Sequence, residues 1–349
     1  MNERSLQDVF VSLAGQDDNL GDSALRAAYY EAVQSPDRRI HILLENKTSD
    51  YNAGIAVRAA DVVYTSRPRW EAASEAARRP VQLFEAGEIN PGGSSYPAAN
   101  RVAPLRHALD HGGALIVAGL GLRNPHSFDP DTLDDVLREA AVVSWRDPVS
   151  REAAGFGEVA PDWAFALGAP VAQWAPADQR PQIAVTLRFD RPWPGDAWIA
   201  AVRALARETG TRLVTVAQVA RDAPRAVRLA QELGGEYLMA ATMRHDDLDA
   251  HVREVYRHSL AVVSDRAHGL IIGATEGAYP VGSAADPEKL ARIMAAAGLD
   301  ALVGAYDEVS QAGARLGDEW PLLAPAITGA RARVADLTER INQALERSA

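Results

Sequence analysis

The chain has no cysteine, and among its 36 cationic residues only Lys47 and Lys289 are lysines. The first absence removes disulfides, zinc–thiolate sites, iron–sulfur ligation and thiol nucleophiles together. The second makes nearly every cation an arginine; a GC-rich coding bias suffices to explain the number, so each arginine has to be judged by its position. Positive charge is also short overall, 36 Lys and Arg against 47 Asp and Glu for a net −11, which speaks against general affinity for nucleic acid. No segment reaches the roughly 18 apolar residues that span a bilayer, and the polar stretch at residues 1–7 predicts no secretory leader. Neither a GxGxxG fingerprint nor a Walker lysine is present, so nicotinamide and P-loop chemistry are not expected.

What the chain does have is length and core. With 349 residues, 47% of them hydrophobic and 24% charged, it has the composition of a globular protein of about two domains. Short β-branched runs at 8–13, 39–44, 61–65, 81–84, 114–119 and 141–145 alternate with helical patterns such as 23–33 and 100–109. The prolines and glycine of 168–181 interrupt the pattern as a linker would. Strands are then expected at 182–188, 211–217, 260–264 and 279–282, helices at 196–208, 223–233 and 267–276, and one long amphipathic helix at 327–346. Such alternation implies βαβ crossovers, hence two doubly wound parallel-sheet α/β domains, Rossmann-like and facing a cleft. The expected bounds are 1–172, 173–325 and a C-terminal helix at 326–349. Loops after the strands should carry the chemistry, because open parallel sheets bind ligands at their carboxyl ends.

Three such loops stand out. Asp17-Asp18-Asn19-Leu20-Gly21-Asp22 follows the first strand. Its polar side chains suit sugar hydroxyls, and Asn19 or Asp22 also suits the cap of the next helix. Trp145-Arg146-Asp147-Pro148-Val149-Ser150 follows the sixth strand, placing an arginine fork where a carboxylate or phosphate could bind, with Asp147 or Ser150 suited to cap the next helix and Pro148 near its first turn. Ser264-Asp265-Arg266-Ala267-His268-Gly269 opens a helix, whose N-terminus favours an anion beside Arg266, while His268 can exchange a proton near neutral pH and Gly269 keeps the backbone open. His107 and His111 have i, i+4 spacing without an HExxH pattern, so no metal is expected; His245-Asp246-Asp247 reads as a solvated loop or cap, and Trp163, Trp174, Trp193 and Trp198 as packing.

In this order the three motifs resemble the polysaccharide pyruvyltransferase family. Val117-Ala118-Gly119-Leu120-Gly121 is similar to its strand-end glycine segment, and Pro161-Asp162-Trp163-Ala164-Phe165 to the strand after its Arg-Asp turn; Tyr279-Pro280-Val281 and Lys289 fit as well. The resemblance implies a GT-B-like fold and a transferase that moves the pyruvyl group of phosphoenolpyruvate onto two hydroxyls of a sugar, forming a cyclic ketal. The sugar would belong to a surface polysaccharide or its lipid-linked precursor. It implies donor binding by Arg146, Arg266, Ala267, His268 and Gly269, with His268 catalytic. Asp18, Asn19, Asp22, Glu88 and Asn90 are expected on the acceptor side, the first domain serving the acceptor and the second the donor. No cofactor and no metal are expected, a cytoplasmic location is expected, and a lipid-linked acceptor would bring the protein to the inner face of the membrane. Two departures are visible: Ala267 replaces a larger apolar residue, and the loop Ala86-Gly87-Glu88-Ile89-Asn90-Pro91-Gly92-Gly93 is irregular. The rival readings are a nucleotide-sugar glycosyltransferase of the same fold and a non-catalytic sugar-phosphate-binding protein.

Overall fold

A computed structural model describes residues 6–45, 47–91 and 95–349, so residues 1–5 of the N-terminal stretch and Gly92 and Gly93 of the irregular loop lie outside the described residues. The chain divides into two compact units: Met1–Asp17, Leu25–Trp163 and Arg333–Ala349 form the first, and Asp18–Ala24 with Ala164–Ala332 the second.

The first unit is built on one parallel sheet. Its strands are β1 (Gln7–Ser12), β2 (Arg38–Leu43), β3 (Val62–Tyr64), β4 (Val81–Leu83), β5 (Gly87–Ile89), β6 (Ala114–Leu122), β7 (Val142–Trp145) and β8 (Glu158–Val159), in the order β3-β2-β1-β4-β6-β7-β8 with β5 beside β6. Helices α1 (Leu20–Ala32), α2 (Ser49–Ala53), α3 (Arg67–Ala76), α4 (Ala99–Asp110) and α5 (Pro148–Ala154) connect them. All nine residues of β6 are buried, as expected of a central parallel strand covered on both faces.

The glycines of β6 have separate tasks. Gly119 has φ +85° and marks a register shift against β7; a Cβ there would lie 2.7 Å from the Trp163 ring. A Cβ on Gly121 would lie 2.6 Å from Arg146 Nε, so its absence is what admits that guanidinium. Pro161–Phe165 does not form the expected strand. The short strand is β8, and Trp163–Ala166 is a 3-10 turn that sinks Trp163 into the core, its indole N–H donating to the Ala118 carbonyl at 3.2 Å.

The second unit repeats the architecture. Strands β9 (Gln182–Thr186), β10 (Arg212–Thr215), β11 (Glu236–Tyr237), β12 (Ser259–Ser264), β13 (Tyr279–Ala284) and β14 (Val303–Ala305) run parallel in the order β11-β10-β9-β12-β13-β14. Helices α6 (Asp196–Thr209), α7 (Ala223–Leu233), α8 (His245–Arg257), α9 (Ala267–Thr275) and α10 (Glu288–Ala295) precede the terminal α11 (Val309–Arg347). One apolar layer joins Ile183, Val185, Val263 and Val281 of the sheet to Trp198 and Val202 of α6; the other joins Ala184 and Val262 to Val252 of α8 and Ile272 of α9. The strand order reverses between β9 and β12, the position at which such sheets bind ligands.

Two expectations change. The terminal helix starts at Val309 and not near 327, because Pro321 and Pro325 lie inside it and disguise its first half as breaks. His245-Asp246-Asp247 is the first turn of α8, with His245 buried, and not a solvated loop.

Candidate functional site

The second sheet gathers two of the three motifs at its carboxyl edge. Asn19 caps α1: its Oδ1 accepts from Gly21 N at 3.1 Å and its carbonyl from Asp22 N at 3.0 Å, while Leu20 N donates to the Gln218 carbonyl at 3.4 Å. Gly21 then lies directly against the imidazole of His268, where a Cβ would stand 2.2 Å from Nδ1 and 2.4 Å from Cγ. Two loops more than two hundred residues apart thus meet around one histidine. Ser23, in the same turn of α1, hydrogen-bonds His245 Nδ1 at 2.7 Å, so the buried start of α8 holds the α1 turn in place.

Arg266 occupies the N-cap position of α9, and its backbone N–H donates to Ser264 Oγ at 2.9 Å. Its guanidinium is buried against Asp222, with Nε at 2.6 Å and Nη2 at 2.5 Å from Oδ2. Asp222 also accepts from Phe189 N at 2.9 Å, and burial raises its pKa even against the opposing charge of Arg266. Beside it, Asp265 accepts from Arg188 N at 2.8 Å. Burial pushes Asp265 up to about 6, while the Arg188 hydrogen bond and the charges of Arg266 and Arg188 pull the other way. Sequence reasoning assigned no role to Asp222 or Asp265. The only signal was the position of Asp265 inside the Arg-His hexapeptide; Asp222 becomes meaningful once β10 and β12 are folded side by side with β9.

Gly269 is buried, and a Cβ there would lie 2.6 Å from Ser264 Oγ and 3.2 Å from Thr186 Cγ2. Its small size serves close packing of α9 on the strand ends, where the sequence suggested an open backbone. Ala267 and His268 are half-buried in the first turn of α9. Asp18 forms a forked ion pair with Arg221, at 2.5 and 2.9 Å, and Asp22 is half-buried in the first turn of α1.

The remaining expected residues belong to the first unit. Arg146 is 5% exposed, with Nη1 3.1 Å from Asp162 and Nη2 3.9 Å from Glu88, so its charge already faces two carboxylates. Asp147 is the cap of α5: its Oδ1 accepts from Ser150 N at 2.7 Å and Oδ2 from Ser150 Oγ at 2.6 Å, with Pro148 in the first turn. Glu88, on β5, accepts from Arg123 Nε at 2.8 Å, and Asn90 is exposed just beyond that strand. His107 and His111 end α4 with their rings stacked at 3.9 Å, and His111 Nδ1 lies 2.8 Å from the His107 carbonyl. Among the described residues no group of three or more His, Asp or Glu could hold a metal ion, and no helix is long and apolar enough to cross a membrane. Trp163 and Trp198 are core residues; Trp193 is half-buried under the Arg228 guanidinium, 3.8 Å from its ring centre.

A model of the family described as polysaccharide pyruvyl transferase matches residues 19–284, most of the chain, taking in the first motif from Asn19 and the other two whole. The chain belongs to the polysaccharide pyruvyl transferase family. It is thereby a transferase of a polysaccharide-modifying family. No curated protein matches the sequence. Among solved structures, Anabaena HepE in complex with UDP is 12% identical with a TM-score of 0.57, covering 98% of this chain and 100% of its own. S. aureus MnaA bound to UDP is 12% identical with a TM-score of 0.54, covering 96% and 95%. A mutant of Thermobaculum terrenum O-GlcNAc transferase is 16% identical with a TM-score of 0.53, covering 99% and 68%. At such identities the likeness concerns the fold: this pyruvyl transferase relative shares the two parallel-sheet α/β layout of GT-B glycosyltransferases and related enzymes.

Proposed function

We propose that the protein transfers the pyruvyl group of phosphoenolpyruvate to two hydroxyls of a sugar, giving a cyclic ketal and inorganic phosphate. The observation that carries this reading is the meeting of Gly21 and His268 beside Arg266, in a chain whose family match spans the same motifs. The first turn of α9 offers backbone N–H groups and the positive end of a helix to an anion, and Arg266 adds a guanidinium. Phosphoenolpyruvate brings a carboxylate and a phosphate, and two cations are a natural minimum for it. Arg146 is the second cation in this reading, sharing its charge with Asp162 and Glu88. Ala267 and Gly269 shape the donor side, Ala267 leaving it wider than a larger apolar residue would.

His268 is the proton-exchanging group: ketal formation requires a proton on the methylene carbon while a sugar hydroxyl adds to its neighbour. Asp18, Asn19, Asp22, Glu88 and Asn90 serve the acceptor, Asn19 by fixing the turn as much as by contact. The leaving group is a simple phosphate, and the scheme uses no metal or cofactor. A lipid-linked acceptor would bring this otherwise cytoplasmic protein to the inner face of the membrane.

Phosphate release from phosphoenolpyruvate, measured with a panel of hexose and N-acetylhexosamine acceptors, tests the reading. Wild-type turnover by His268→Ala would remove the catalytic assignment. HepE and MnaA were solved with UDP; thermal stabilisation of this protein by UDP and none by phosphoenolpyruvate would favour a nucleotide-sugar reaction instead.

A further inference from the structure

The carboxyl edge of the second sheet holds a carboxylate that the scheme above leaves idle. Asp265, between the end of β12 and Arg266, is 6% exposed. The hydrogen bond from Arg188 N to Oδ1 fixes the carboxyl group, while Oδ2 is buried and has no hydrogen-bond partner among the described residues. A bare buried carboxylate oxygen is costly, and folded proteins rarely keep one that nothing uses. The cations acting on it are committed elsewhere, Arg188 forked onto Asp190 at 2.9 and 2.7 Å and Arg266 onto Asp222, while the charge of Asp222 itself acts with burial to raise the Asp265 pKa. Tyr306, just after β14, completes the surroundings with a hydroxyl that is likewise buried and unpartnered among the described residues; burial and the charge of Asp265 push its phenol up to about 12. No hydrogen bond among the described residues reaches Asp265 Oδ2, the Tyr306 hydroxyl included, so a hydroxyl of a bound molecule is the partner this corner can take.

The chemistry lacks a group as well. Two hydroxyl protons leave the acceptor sugar; one ends on the methylene carbon and the other on phosphate, so a second proton carrier must work beside His268. Resting on the pyruvyl-transfer reading, we propose that Asp265 Oδ2 binds an acceptor hydroxyl and takes its proton as the sugar oxygen bonds to C2 of phosphoenolpyruvate. The C2–C3 π pair takes a proton from the imidazolium of His268, which leaves a methyl group and a ketal phosphate. In the second half the other hydroxyl passes its proton to neutral His268 as its oxygen bonds to C2. The C2–O bond to phosphate breaks with its electron pair, and the departing phosphate accepts the proton held on Asp265. Both side chains return to their starting states, and nothing is oxidised or reduced.

Asp265→Asn is the test, since it keeps an oxygen for Arg188 N and the shape of the side chain. Expected is a fall in kcat for phosphate release of at least about a hundredfold, with KM for phosphoenolpyruvate within about threefold and thermal stabilisation by phosphoenolpyruvate retained. The acid limb of the wild-type pH–rate profile, expected near the titration of Asp265, should vanish. Turnover within a few-fold of wild type with that limb intact would overturn the assignment. Should Asp265→Asn fail to fold, Asp265→Glu keeps a carboxylate but moves it by a methylene and must shift the limb; an unmoved limb overturns the proposal equally. A wild-type protein that releases no phosphate from phosphoenolpyruvate with any acceptor removes the functional reading and this inference together. An active wild type with an equally active Asp265→Asn removes the inference alone.

Discussion

Gly21→Ala probes the contact on which the candidate site is built, and its sign is informative. Gly21 is the second residue of α1, where alanine in place of glycine ordinarily gains up to about 1 kcal/mol through helix propensity. Here the new methyl would sit 2.2, 2.4 and 2.6 Å from His268 Nδ1, Cγ and Cβ, distances that van der Waals repulsion forbids. The Cβ of His268 belongs nearly to the backbone of α9, so rotating the ring relieves only part of the clash. Overpacking of this kind costs about 1–3 kcal/mol, which outweighs the propensity gain and leaves a net loss on the order of 1–2 kcal/mol. Urea unfolding of the single variant and of Gly21→Ala in a His268→Ala background would separate the two effects. With the imidazole gone, alanine at 21 should become neutral or stabilising, giving a coupling energy of about 2 kcal/mol. A single variant as stable as wild type, or additive behaviour in the double, would refute the contact.

Other outcomes follow from neighbouring geometry. Arg266→Ala leaves Asp222 as an uncompensated buried carboxylate and should cost about 3–5 kcal/mol in thermal unfolding, with Arg266→Lys recovering part of the stability but not the forked contact; a loss under about 1 kcal/mol would contradict the pairing. Asp147→Ala removes the cap of α5 and should lower the urea midpoint by an amount worth about 1–2 kcal/mol, and an unchanged midpoint would argue against the cap. Gly119→Ala combines a left-handed φ of +85° with a contact of 2.7 Å to Trp163 and should destabilise by at least about 1 kcal/mol, read from the melting temperature. Asp265 titrates at about 6 in the folded protein against 3.8 in an unfolded chain, so the folded state holds its proton more tightly. Its contribution is fully present below pH 3.8 and is lost as pH rises through about 6, a total of about 3 kcal/mol. Asp265→Asn should therefore gain stability relative to wild type between pH 4 and 7, and a flat difference would show that burial does not perturb this carboxyl.

Much of the fold was readable because its signals are local. Helix α7 is bounded by Asp222 and Gly234 and falls at the expected residues 223–233, and β9 and β12 follow from runs of buried β-branched residues. Elements without such signals stayed hidden. Helix α8 opens on His-Asp-Asp, β5 has three residues, and α11 carries two internal prolines that local propensity reads as breaks. At the site, the residue types at the carboxyl ends of strands were legible, and the caps were narrowed to Asn19 or Asp22 and to Asp147 or Ser150, of which the folded chain uses Asn19 and Asp147. Partnerships were not. Nothing local in Gly21 indicates that it makes room for His268, or in Asp222 that it holds Arg266, because these pairs depend on how distant βα units close onto one sheet. The packing role of Gly269 was missed for the same reason.

The central claim is that phosphoenolpyruvate is the donor and that chemistry runs through His268. The most direct measurement follows inorganic phosphate and pyruvyl ketal together, in one reaction of the protein with phosphoenolpyruvate and an acceptor glycan, for wild type and His268→Ala. Equal amounts of phosphate and ketal are expected from the wild-type protein, and a loss of both by at least about a hundredfold in the variant. Consumption of a UDP-sugar with no phosphate released from phosphoenolpyruvate, or undiminished ketal formation by His268→Ala, would contradict it.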